Sequence, residues 1–219
     1  IPSNFDILSL QDSLQLVPMI APLSSNPVKN RENVYQSVTS PKLLREKMFL
    51  YLDKVLDSTQ NVVLITDTLN REVETKLHDR FPFAQILRPE PGGYVVPDLI
   101  DSLLVDTLIN KVVFESQNLG LIASVTSLLN SQVSEERDVQ LFTTFRSNAY
   151  NNQNISKKQL GNLKFTYTAG EFSYNSPRSK VFDSLYVTAF GDLPKREALR
   201  GYDVALDVIL RWSHINQLS

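Results

Sequence analysis

The chain has 219 residues, 42% of them apolar, which allows one large domain or two small lobes with a real core. It has no cysteine, which excludes a disulfide framework, a thiol nucleophile and a thiolate metal site. A formal net charge of −2 and a pI of 5.7 imply no broad basic surface, so neither nucleic acid nor an anionic membrane is expected as the main partner.

No apolar run is long enough to span a bilayer, and no signal peptide is visible. Ile1-Pro2 is not an initiation site, so a processed or incomplete start is expected.

Apolar bursts occur at Val17–Ala21, Val34–Val38, Val62–Ile65, Phe83–Leu87, Val112–Phe114, Leu141–Phe145 and Phe165–Tyr167. Several are continuous rather than alternating and are rich in β-branched residues. Parallel strands covered on both faces have this pattern.

The stretches between them have helical period. Ser40-Pro41 opens the first helix with an N-cap serine and a proline at the first helical position, and Leu44, Met48, Tyr51, Leu52 and Val55 form its apolar stripe. Asn70 is placed to cap a second helix, with Val73 and Leu77 inward and Pro82 as its stop. Pro97 starts a third, with Leu99, Ile100, Leu103 and Leu104, and a fourth runs from about Leu119 through Ile122, Val125 and Leu129. Strand–helix–strand alternation at this spacing predicts an α/β fold with a doubly wound parallel sheet.

The segment Ser147–Asn154 is rich in asparagine and lacks periodicity, so a mobile surface loop is expected there. Asn154-Ile155-Ser156 matches a glycosylation sequon and is read as a chance occurrence. Ser176-Pro177 then starts a helix bearing Val181, Phe182, Leu185, Tyr186, Ala189 and Phe190, with Gly191 where a left-handed C-cap is expected.

Pro194 is placed to begin the last helix. Its stripe of Leu199, Tyr202, Leu206 and Ile209 runs beside one of Ala198, Gly201, Ala205 and Val208. Two adjacent apolar stripes predict deep burial, with another backbone packed closely on Gly201.

These closing helices read Phe182-x3-Tyr186-x3-Phe190-Gly191-x2-Pro194-x3-Ala198-x2-Gly201-Tyr202-Asp203. The pattern resembles the type I periplasmic binding proteins, which include the branched-chain amino-acid-binding components of ABC transporters. Earlier segments follow in the family's order. Val17–Ser25 is similar to its strand ending in proline and small hydroxyl residues, Val34–Ser40 to its crossover into the second lobe, and Val62–Asp67 to the strand opening that lobe. The run Glu197–Arg211 looks most like envelope proteins of Bacteroidota that join such a domain to peptidoglycan-binding LysM repeats, although no LysM repeat is visible.

The resemblance implies a second lobe over residues 38–168. Residues 1–37 and 169–219 would be parts of the first lobe and its crossovers, with further first-lobe units and closing strands outside this chain. It also implies a periplasmic or cell-envelope location, with a lipid anchor on the full-length protein.

In an open α/β sheet, ligands bind beyond the carboxyl ends of the strands. Those positions offer Ser24 and Ser25, Asp67 and Thr68, Glu115 and Ser116, and Phe145 as candidate ligand-binding residues. Small hydroxyls suit a carboxylate, Asp67 or Glu115 an amine, and Phe145 an apolar side chain, so an amino-acid-like solute is the expected ligand. The resemblance matches Ser24, Ser25 and Asp67 to family loops. The competing role is capping, because Ser25, Asp67 and Ser116 are good N-cap or turn residues.

Catalytic, cofactor and metal sites are not expected. Gly92-Gly93 has no following Lys-Ser/Thr and reads as a turn. His78 and His214 have no second ligand at metal spacing, and Ser24 is not in a nucleophile-elbow motif. Asp98 and Asp101 suit a helix's first turns. Glu135–Asp138 and the lysines 157, 158 and 164 read as solvated surface.

The expected function is therefore a non-catalytic periplasmic binding module closing on a small solute at hinges near Val38 and Thr168. The alternative is a scaffold that kept the fold and lost the site, binding a protein partner in a peptidoglycan-linked or outer-membrane assembly.

Overall fold

The computed structural model describes residues 19–21, 34–170 and 177–217. They belong to two compact units, one comprising residues 42–169 and the other residues 1–41 with 170–219.

The first of these units is an α/β layer structure. Strands β3 (Asn61–Thr66), β4 (Gln85–Leu87), β5 (Asn110–Glu115) and β6 (Val139–Phe142) form a four-stranded sheet in the order β4-β3-β5-β6. Every pairing is parallel. A further parallel bridge joins Phe142 to Thr166, placing the last apolar burst beyond β6 as one bridge rather than a full strand.

The continuous apolar runs follow from cover on both faces. Val62, Leu64, Val113 and Phe142 pack with Met48, Phe49 and Leu52 of α1 (Pro41–Val55) and Val73 and Leu77 of α2 (Arg71–Arg80). The alternate residues Val63, Ile65, Val112, Phe114, Val139 and Leu141 pack on the opposite face. Their neighbours there include Ile100 of α3 (Pro97–Leu103), Ile122 and Val125 of α4 (Leu119–Ser131), and Leu160 of α5 (Lys157–Asn162). All six residues of β3 and of β5 are buried.

The polar residues that begin these strands are bonded rather than stranded. Asn61 and Asn110 face each other across the β3–β5 register, and Asn61 Nδ2 donates to Asn110 Oδ1 at 2.8 Å and to the Leu103 carbonyl at 2.6 Å. Asn110 Oδ1 also accepts the Val105 N–H at 2.8 Å. The amino ends of the central strands are thereby closed by side-chain amides, since buried polar groups need partners.

Several details differ from the sequence expectation. Helix α1 buries Phe49, whereas Tyr51 is exposed; Leu99 of α3 is also exposed. Asn70 makes no side-chain cap bond to α2. The asparagine-rich segment is not a free surface loop. It contains a short 3-10 turn (Asn148–Asn151) that carries Tyr150, a fully buried side chain stacked on Phe165 with ring centroids 4.7 Å apart. One buried aromatic anchors the segment where composition alone points to solvent.

The second unit contains β1 (Met19–Ala21) paired in parallel with β2 (Val34–Gln36), and helices α6 (Pro177–Phe190) and α7 (Arg196–Gln217). Arg200 Nη2 donates to the Ser37 carbonyl at 2.6 Å. Gly191 has φ of +78° and its N–H bonds the Val187 carbonyl at 2.8 Å, the left-handed helix end its position predicts.

Phe182, Tyr186, Phe190 and Tyr202 form a ring series, with the Phe182–Tyr202 and Tyr186–Phe190 centroids each 4.5 Å apart. The last helix begins at Arg196 rather than Pro194 and is not deeply buried. Ile209 is 63% exposed and Leu210 54%, and a Cβ built on Gly201 meets open space rather than a packed backbone.

Candidate functional site

The sheet order puts a topological switch point between β3 and β5. The chain leaves β3 toward β4 on one side and returns through β5 toward β6 on the other, and open parallel sheets hold ligands beyond the carboxyl ends of strands at such a point. The register pairs Thr66 with Glu115 at that end, which brings Asp67 and Ser116 together.

Asp67 is half-buried and caps the 3-10 turn Thr68–Asn70. Its Oδ1 accepts the Leu69 N–H at 3.1 Å and Asn70 Nδ2 at 2.7 Å, and its Oδ2 accepts the Ser116 hydroxyl at 2.6 Å. The Asp67 N–H donates to the Glu115 carbonyl at 3.2 Å. Ser116 is buried, and its Oγ also accepts the Asn118 N–H at 3.0 Å. Asn118 in turn caps α4 by accepting the Leu121 N–H at 3.1 Å. Asp67 thus performs the capping role and Ser116 the turn role weighed for them, and the Ser116–Asp67 bond knits the two switch-point loops together. Thr68 begins the 3-10 turn, and Ser24 and Ser25 lie outside the described residues.

Glu115 is 2% exposed, at the end of β5. Thr143 Oγ1 lies 3.1 Å from its Oε1, and the same oxygen accepts the Thr144 N–H. Burial in the sheet raises the carboxyl pKa above the ordinary range. The Thr144 bonds, the Arg45 charge and the Thr143 hydroxyl oppose that rise without cancelling it.

Arg45, on α1, donates from Nε to Thr144 Oγ1 at 3.2 Å and lies 5.7 Å from the centroid of the half-buried Phe145 ring. Phe145 is therefore positioned beside the switch point under a cation.

Sequence reasoning missed Arg45, Asn70, Thr143, Thr144 and Tyr150 at this end of the sheet. The Tyr150 hydroxyl is buried beside Thr143, whose hydroxyl works against the rise of its pKa, and no hydrogen bond of good geometry reaches it among the described residues. Burial, and then the Glu115 charge, push its pKa well above the usual phenol range. The available signal was a lone aromatic amid asparagines, since a large ring in a polar loop is commonly an anchor.

At the sheet's outer edge, Arg146, Tyr150, Lys157, Leu160, Phe165 and Tyr167 line an open groove of about 360 Å³. Among the described residues, no cluster of three or more potential metal-ligating His, Cys, Asp or Glu side chains occurs, and no helix is long and apolar enough to cross a membrane. No family model, curated protein or solved structure matches the chain.

Proposed function

We propose that this chain is a non-catalytic binding module of the type I periplasmic binding protein kind, working in the bacterial cell envelope and holding a small polar solute at the β3–β5 switch point. The observation that carries this is the Asp67–Ser116 hydrogen bond across the switch point. It fixes two loops in the place where open parallel sheets hold ligands. A site whose polar side chains are already held by one another needs little reordering on binding, which favours affinity for a small ligand.

The ligand-facing groups in this arrangement are the outer edges of the Asp67–Asn70 and Ser116–Asn118 loops, with Phe145 and Arg45 to one side. Glu115 acts from beneath, bracing the backbone of Thr144. The closing-helix pattern supports the family assignment and contributes no pocket residue.

A metabolite screen by thermal denaturation tests the proposal. A ligand that binds only the native state stabilises it by about 2.7 kcal/mol at a concentration a hundred times its Kd. A saturable shift is expected with one class among amino acids, sugars and peptidoglycan fragments, and it is expected to be lost in Asp67→Ala. A flat response across all three classes contradicts solute binding.

The exposed apolar side chains of α6 and α7 favour a second reading, the envelope scaffold. Val181, Leu185, Phe190, Leu206, Ile209 and Leu210 are all exposed. Apolar surface of this kind marks protein contact sites in soluble chains. A stable partner in an envelope pull-down, lost in Ile209→Lys and accompanied by no solute shift, supports the scaffold over the solute binder.

A further inference from the structure

We propose that the groove at the outer edge of the sheet is an anion-binding site for a small carboxylate or phosphate carried on a planar apolar ring. This site is lined by residues other than those of the β3 and β5 loops and stands whether or not a solute binds at the switch point.

The cations of the groove differ in what they have left to offer. Lys164 is taken up by Asp138, with its Nζ 2.8 and 2.9 Å from the two carboxylate oxygens. The Lys157 side chain has no hydrogen bond or ion pair among the described residues. Arg146 is held in place: one Nη2 hydrogen bond goes to Asn151 Oδ1, and its guanidinium lies over the Tyr167 ring, 4.9 Å from the centroid. Its remaining N–H groups have no protein partner among the described residues. A planar guanidinium fixed on an aromatic face, with donors still free, is the arrangement that recognises carboxylate and phosphate oxygens. Lys157 lines the same groove and adds a second positive charge.

The walls supply the place for a ring. Tyr150, Phe165 and Tyr167 follow one another in contact, at 4.7 and 5.2 Å between centroids, and Leu160 completes the apolar side. The space of about 360 Å³ lies within the range of small-molecule sites. Tyr150 contributes its ring to this wall, while its buried hydroxyl lies on the inner side, beside Thr143 and Glu115.

All three lysines, 157, 158 and 164, are exposed, as the sequence leads one to expect; Lys157 and Lys164 also line the groove, and Lys158 does not.

Titration calorimetry on the full chain tests the site, with benzoate and phenyl phosphate as the carboxylate and phosphate probes and inorganic phosphate as the ringless control. One-site binding of at least one ring-bearing probe is expected, at least tenfold tighter than inorganic phosphate and weakened by added salt. Arg146→Gln is expected to lose at least tenfold in affinity and Lys157→Gln several-fold, while Lys158→Gln binds as the wild type does. Lys157 and Lys158 are exposed on a short helix, so those two variants keep the comparison intact even if Arg146→Gln does not fold. No saturable binding of either ring-bearing probe, or equal affinity in wild type and both groove variants, overturns the proposal.

Discussion

Ser116 Oγ donates to Asp67 Oδ2 at 2.6 Å, so the loop that leaves β3 is tied to the loop that leaves β5 at the point where the chain's winding reverses. The bond is short-range in space and long-range in sequence, 49 residues apart; Asp67 also caps the 3-10 turn, and Ser116 also accepts the Asn118 N–H in the turn before α4.

Replacing Ser116 by alanine removes the donor to Asp67 and the acceptor of the Asn118 N–H. Hydrogen bonds to charged groups contribute about 1.5–3 kcal/mol, and Asp67 is only half-buried, so a loss of about 1–2 kcal/mol is expected. Urea denaturation checks this. An unchanged midpoint means that water replaces the serine without penalty and that the loops are not tied in solution.

Glu115 gives the fold an unusual dependence on pH. Its folded pKa is raised by burial, so its protonated form is the one the fold favours. The unfolded carboxyl ionises near its ordinary value of 4.5, before the folded one does. Its contribution is therefore fully present below that value and is lost as pH rises through the folded pKa. Glu115→Gln keeps an acceptor for Thr144 and removes the ionisation. The variant is expected to gain stability relative to wild type as pH rises from about 4 to 7, in a series of melting temperatures.

Glu74 works in the opposite sense. Its hydrogen bonds from Arg88 hold its pKa down despite partial burial, so its contribution is present above 4.5 and is lost as pH falls through its folded pKa. A wild-type and Glu115→Gln difference that does not change with pH contradicts the burial of a titrating carboxyl.

Tyr150→Phe removes a buried hydroxyl that lies beside Thr143 without a hydrogen bond of good geometry, and keeps the ring on Phe165. An unsatisfied buried polar group costs about 1–3 kcal/mol, so this variant is expected to be as stable as wild type or more stable by about 1 kcal/mol. A loss of more than about 1 kcal/mol in chemical denaturation shows instead that the hydroxyl has a bonded partner.

Two apolar residues separate core from surface. Leu64 is fully buried at the centre of β3, and Leu64→Ala is expected to cost about 2–5 kcal/mol. Ile209 on α7 is largely exposed, and Ile209→Ser is expected to change stability by no more than about 0.5 kcal/mol. A comparable loss for both contradicts the exposure of the α7 face.

The contrast between those residues explains what the sequence made legible. The runs Val62–Ile65 and Val112–Phe114 could be assigned to a doubly covered parallel sheet because residues on both faces of one strand must be apolar there. Helix α7 has an equally clear period, but periodicity identifies a face and says nothing about what covers it. The stripe that reads as core therefore lies open at Tyr202, Leu206 and Ile209.

The site shows the same division. Asp67, Glu115 and Ser116 were legible because strand ends in such sheets are where side chains converge. Arg45, Thr143, Thr144 and Tyr150 reach them through tertiary packing, as in the Arg45–Thr144 bond that spans 99 residues, and nothing local in the chain marks such a contact.

The central claim is that the switch point holds a small solute, and thermal denaturation of the full chain against amino acids, sugars and peptidoglycan fragments tests it most directly. The predicted result is a dose-dependent, saturable rise in Tm with one class, abolished by Asp67→Ala but retained in Arg146→Gln. No shift with any class at concentrations to the millimolar range, with the protein folded throughout, would contradict it.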